Sequence, residues 1–231
     1  MTTRKRISVI ALLALLAGGV LAPSADAAAT RYITVSAQGA VKVVPDAVRI
    51  NATATAVAAS SKEALAATAK TSTAVRAALK SAKIDTKDIA TQSVTVYPEY
   101  KYTADGGSTL TGYRGSQSFT IIVRAADTAG SLVDALVTAG GDNLQINGAT
   151  PFVLDSTKSL EAARAAAVKS AKSKAASYAK LIGAKLGKVN YLIENSAPTN
   201  YTPVMAVAKA ESDATVIDLG QQDVTISVTV Q

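Results

Sequence analysis

Ser177-Tyr178-Ala179-Lys180 sets a serine and a lysine three residues apart, the S-x-x-K spacing at which an acyl-enzyme nucleophile meets its lysine one helical turn away. That chemistry also needs S-D-N and K-T-G elements, and neither tripeptide occurs in the chain. Serine and lysine are frequent in this segment, so the match reads as a solvated helix face with Tyr178 packed inward. The chain contains no Cys, no His and no Trp. These absences remove the thiolate nucleophile and thiol redox cycling, together with the usual proton shuttle and the commonest transition-metal ligand. The carboxylates are scattered, with no D-x-D-x-D-G loop, no glycosidase-like pair and no G-x-x-x-x-G-K-[ST] phosphate cradle. No catalytic residue, metal site or cofactor site is therefore expected, and the protein is expected not to be an enzyme.

Two other groupings could bind a partner. Tyr97, Tyr100, Tyr102 and Tyr113 put half of the eight tyrosines into one short stretch. They could form a stacking platform for a ligand or a contact surface between polypeptides. As structure, cross-strand aromatic pairs would stabilise a protruding ribbon by about 0.2–1 kcal/mol each. An isolated two-stranded ribbon is marginal in water, which favours a partner chain gripping it. These four are the candidate interface residues of a homo-oligomer. Lys158, Lys169, Lys172 and Lys180 share one sector of a long helix and are candidate contacts for anionic cell-envelope polymers. The alternative function is accordingly an envelope module that binds anionic glycopolymers with the hairpin tip and the lysine helix.

The chain begins with a cationic head, MTTRKR. An apolar run from Ile7 to Ala22 and a small-residue Ala25-Asp26-Ala27 site follow. This is the pattern of a secretory signal peptide over residues 1–27, cleaved to leave one domain over 28–231. The apolar run is shorter than the roughly 20 residues that a membrane anchor wants. No later segment reaches transmembrane length, and a lipoprotein is excluded because acylation needs a Cys. The formal charge of +7 falls to +5 once three cations, Arg4, Lys5 and Arg6, leave with one anion, Asp26. Export, and lysines spread through helices instead of arms, speak against nucleic acid as a partner. The expected location is secreted or extracytoplasmic, at the cell envelope.

The elements that would position these residues follow from patterning. Residues 32–57 alternate apolar and small polar side chains and predict two strands or one long bent pair. Ser60 stands three residues before Glu63, a capping box opening a helix to about Lys83, with Leu65, Ser72, Val75 and Leu79 along one narrow face that should lie close on a sheet. A long protruding β-hairpin spans about 91–124 around Asp105-Gly106-Gly107, and Pro98 demands an edge or a bulge. Val94, Val96, Tyr100 and Tyr102 share one parity, with Tyr97 on the other. A short helix opens at Asp127, carries Leu132, Leu136 and Val137, and stops at Gly140-Gly141. A strand interrupted at Asn147-Gly148 leads to the longest helix, 156–182, whose inner face is Leu160, Ala163, Ala167, Ala171, Tyr178 and Leu181. A strand near Tyr191, a long loop over 197–215 and a strongly alternating terminal strand complete the chain. Gly39, Gly106, Gly107 and Gly148 are read as turn residues. The order β-β-α-β-β-α-β-α-β-β predicts an α+β fold, an antiparallel sheet built from hairpins with two long helices and one short helix packed on it.

Specific strings then converge: ITVSAQGAVKVVPDAV, DIATQSVTVYPEYKY followed by GYRGSQSFTIIVR, Glu161-Ala162-Ala163-Arg164 opening a helix, and the closing DLGQQDVTISVTV. Together they resemble the SIMPL domain family, formerly a domain of unknown function, from about Tyr32 to the C-terminus. The resemblance implies exported proteins of the periplasm or envelope with an α+β fold and a tendency to oligomerise, among them periplasmic immunogenic and oxidative-stress defence proteins. Eukaryotic relatives are linked to signalling adaptors. It transfers no catalytic residue. With no Cys, any oxidative-stress role would be indirect, and the loop 197–215 departs most from the family pattern.

Overall fold

The computed structural model describes residues 31–195 and 214–231. The candidate signal peptide and most of the 197–215 loop lie outside the described residues. Ile33–Gln231 form one compact unit. The elements run in the expected order: β1 (Val35–Val43), β2 (Ala47–Ala58), α1 (Ser61–Ser81), β3 (Ile89–Tyr102), β4 (Ser108–Val123), α2 (Ala129–Gly140), β5 (Leu144–Phe152), α3 (Thr157–Leu181), β6 (Leu192–Glu194) and β7 (Gln222–Val230). The α+β class holds, and the strands divide between two antiparallel sheets, β1-β7-β6 and β3-β4-β2-β5. β1 and β2 are thus successive strands that do not pair with each other. The short Val44-Pro45-Asp46 link carries the chain from one sheet to the other. There the Leu154 amide donates to Asp46 Oδ1 and Gln222 Nε2 donates to the Pro151 carbonyl, both at 2.8 Å.

Each sheet has its own core. α1 and α2 cover the four-stranded sheet, burying Val48, Ile50, Val75, Leu79, Phe119, Ile121 and Leu136 among others. α3 covers the three-stranded sheet, with Ala163, Ala167 and Ala171 against Val35, Val224, Ile226 and Val228. The alanine stripe lets α3 descend until its backbone meets Gly39 of β1. A Cβ at Gly39 would collide with the main chain of Ala163 and Ala167, so Gly39 serves close helix–strand approach in mid-strand, not a turn. Gly115 plays the same part under α1, where a Cβ would lie 2.5 Å from Thr68 Oγ1 and 2.7 Å from the Ala64 carbonyl oxygen. The close, small-residued seat expected of α1 is there.

The local signals that carry their own geometry are realised. Ser60 caps α1 through Glu63, with both halves of the capping box formed. Asn147 is the extra residue where β5 pairs with β2, since Asn51 faces Gly148 and Ala52 faces Ile146. Several side chains predicted inward are not. Leu65 is exposed because α1 buries Ala64 and Thr68, one residue round the helix. Val137 is exposed on α2. Asp127 does not open α2; it lies in a preceding 3-10 turn, and Thr128 is the N-cap. Tyr178 and Leu181 are 46% and 77% exposed, against the expected inward packing. α3, 25 residues long, extends about 37 Å, whereas the nine-residue strands beneath it reach about 30 Å. Its buried stripe nevertheless continues through Ala163, Ala167, Ala171 and Ala179 into the last turn, so Tyr178 sits one residue, and Leu181 two, round the helix from it.

Candidate functional site

The β3–β4 ribbon is the feature that the four-stranded sheet presents most openly. β3 is an edge strand, and nearly all of its 14 residues are exposed or half-buried. β4 pairs with β2 only as far as Tyr113, opposite Ala58, so the ribbon beyond that point has two strands and projects, as the proline predicted. It closes through Thr103–Gly107, where the Thr103 amide donates to the Gly107 carbonyl at 2.9 Å and Gly106 takes a φ of +79°. Thr111 is bulged out of register between Glu99↔Gly112 and Tyr100↔Leu110, and its Oγ1 donates to the Glu99 carbonyl at 2.9 Å.

These bonds fix which way the main chain of β3 points. Antiparallel strands alternate residues that bond to the partner with residues that face away. Glu99 and Thr103 bond inward to β4. Val94, Val96, Pro98, Tyr100 and Tyr102, of the other parity, turn their main-chain groups to the open edge. Pro98 has no N–H, and this is the side on which a strand can hold a proline without losing a ladder bond. The same five residues share a side-chain face. It is the face toward α1, because Val96 stands opposite Gly115, on which α1 rests. α1 reaches β3 near its start, where Arg76 lies 5.1 Å over the Phe119 ring and donates to Thr91 Oγ1 at 3.0 Å. Val94, Tyr100 and Tyr102 remain exposed, Tyr102 at 78%, and so does Leu110 opposite Tyr100. An apolar stripe thus runs beside a row of main-chain groups that are unpaired among the described residues.

The four candidate tyrosines are consequently not one platform. Tyr100 and Tyr102 belong to the stripe, and Tyr113, half-buried opposite Pro98, borders it. Tyr97 lies on the reverse face opposite Arg114. No tyrosine of the ribbon stands directly opposite another in the strand register. Two ion pairs hold the ribbon instead. At its root Arg124 Nε and Nη2 donate to Asp88 Oδ2 and Oδ1, both at 2.7 Å. The guanidinium hydrogen bonds hold the buried Asp88 carboxyl below the usual carboxylate range, outweighing the opposite push of burial. Where β2 ends, Arg114 donates to Glu99 Oε1, and that bond raises the arginine further. In the sequence Glu99 stands among scattered carboxylates, because the bulge at Thr111 hides the register that pairs it with Arg114.

The lysines are all exposed on α3. Lys169, Lys172 and Lys180 cluster toward its C-terminal half, while Lys158 lies in the first turn, about 16 Å from Lys169 at 1.5 Å per residue. α3 packs on β1 and β7, so its lysines and the hairpin tip belong to different sheets. Ser177 and Lys180 are exposed and make no hydrogen bond to each other among the described residues.

Two antiparallel sheets with their own helices, one extended by a ribbon with an open apolar edge, define an α+β protein whose most developed surface is a strand edge. The family model SIMPL, described as a protein of unknown function (DUF541), matches residues 33–231, and the chain belongs to that family. It is 29% identical over 211 residues to the 26 kDa periplasmic immunogenic protein of Brucella melitensis, covering 86% of this chain and 82% of the relative. It is 31% identical over 231 residues to the uncharacterized protein YggE of Edwardsiella ictaluri, covering 94% and 92%, and 30% identical over 220 residues to YggE of Escherichia coli K12, covering 90% and 83%. Among the described residues no helix is long and apolar enough to cross a membrane.

Proposed function

We propose that this is an exported, non-enzymatic protein of the cell envelope that assembles with copies of itself through the β3 edge, as a scaffold or protective component. The observation that carries the reading is the coincidence, on one strand, of outward main-chain groups and a side-chain stripe in which Val94, Pro98, Tyr100 and Tyr102 are exposed and Val96 is half-buried. Long, flat, apolar edges are a liability that proteins either blunt or use. Antiparallel addition of a second β3 would pair the outward amides and place stripe beside stripe by one two-fold operation. Pro98 interrupts the row of donors, which limits open-ended stacking. The signal-like N-terminus supports export, as does the word periplasmic in the name of the Brucella relative. A protective role would be exerted through assembly, because the chain has no thiol to oxidise.

Size-exclusion chromatography with light scattering tests the reading. The wild type is expected to run as a multimer and a Val96→Lys/Tyr100→Ser variant as a folded monomer. A wild type that stays monomeric at high micromolar concentration would remove the assembly.

A further inference from the structure

The second unusual surface lies on the other sheet, beside the 168–175 stretch of α3. Between Glu161 and Glu194 the chain carries Arg164 and six lysines and not a single carboxylate. Arg164 is committed to Glu194, and Lys174 donates to the Ser36 carbonyl. Lys169, Lys172, Lys180, Lys185 and Lys188 all stand in solvent. Large apolar side chains are exposed among them, including Val168, Leu181, Leu186, Val189 and Leu192. A cavity of about 260 Å³ opens in this region between α3, the 186–189 loop, β6 and the end of β7. Val168, Leu186, Val189 and Leu192 help to form its apolar wall, and Lys172 and Lys188 also line it.

Each part has an ordinary explanation alone: lysines solvate a helix, and single exposed apolar residues are common. The combination has a narrower one. A hydrated polysaccharide would use the cations and leave the apolar side chains in water. A protein partner of matching charge would have to supply both acids and an apolar surface. The headgroup region of an anionic bilayer offers both at once, negative charge within reach of lysines and acyl carbon just beneath. The geometry points to this face of the molecule, the 168–175 stretch of α3 with the 186–189 loop and β6, as a docking site for an anionic phospholipid surface. The cavity receives part of an acyl chain, and Lys172 and Lys188 meet the headgroup phosphates. The ribbon is on the other sheet, so docking does not depend on assembly.

Vesicle flotation of the full exported protein tests this, with vesicles of phosphatidylglycerol and phosphatidylcholine in equal parts and vesicles of phosphatidylcholine alone. Binding is expected to the first and not the second, and to weaken with added salt. Lys172→Gln/Lys188→Gln should lower partitioning on the order of fivefold for each lysine removed. Leu186→Ser/Val189→Ser should lower it while circular dichroism reports an unchanged fold. Absence of binding to the anionic vesicles at low salt overturns the proposal, and so does binding indifferent to both variants. Binding to purified anionic glycopolymer that the serine variant leaves intact would assign the surface to polysaccharide instead. Loss of multimers in the serine variant, without any lipid effect, would assign it to a second copy.

Discussion

Gly39 shows how a single missing Cβ governs the smaller core. It stands in the middle of β1, and the alanine stripe of α3 lies so close that a methyl group there meets the main chain of Ala163 and Ala167. Main chain cannot swing aside as a side chain can, so Gly39→Ala is expected to destabilise the protein by about 1–3 kcal/mol. Thermal unfolding checks this against Gly187→Ala, whose Cβ position has nothing within 4 Å. An unchanged midpoint for Gly39→Ala would mean that α3 sits higher above β1, with room for a methyl group. The residue itself was legible in the sequence and its reason was not. A glycine beside alternating strand residues reads as a turn, because the helix that demands it comes more than a hundred residues later. Gly106, by contrast, takes its role from immediate neighbours, and its turn is legible in the sequence.

At the scale of elements, the ribbon depends on its root. Asp88 precedes β3, Arg124 follows β4, and their forked ion pair closes the base of the hairpin. A carboxyl whose folded pKa is depressed contributes stability that is complete above its unfolded value, about 3.9, and is lost as the pH falls through the folded value. Asp88→Asn is therefore expected to lower stability at neutral pH by about 1 kcal/mol, a figure kept small because Arg124 is half in solvent. The difference from wild type should shrink below pH 4 and vanish in stronger acid. A constant difference from pH 7 down to acid would show that the charge pair is not the cause. Chemistry contained within a few residues was readable here: the Ser60–Glu63 box, the Asp105-Gly106 turn, and Pro98 as the mark of an edge. Helix rotation was not. A 3.6-residue period selects a stripe but does not choose between Ala64 and Leu65 as its centre; the glycine under α1 makes that choice. The same ambiguity holds on α3, where the period does not choose between Tyr178 and Ala179, and Ala179 is the one buried.

Across the whole molecule, the order of elements could be read from one end of the chain to the other, but the partition into two sheets could not. Val35 pairs with Val230, and no local pattern announces a contact between the first and last strands of the chain. The partition sets the functional argument, because it places the open apolar edge and the lysine-bearing helix on separate sheets, free to serve separate partners. The central claim is that the outer edge of β3 is paired in the working protein. Amide hydrogen exchange, resolved to single residues and followed over a range of protein concentration, reads this directly. The account predicts that the outward amides of Val94, Val96, Tyr100 and Tyr102 are protected at high concentration and exchange freely on dilution. The inward amides of Tyr97 and Glu99 should stay protected throughout. Rapid exchange of the outward set at every concentration, in a sample that is otherwise folded, would contradict it.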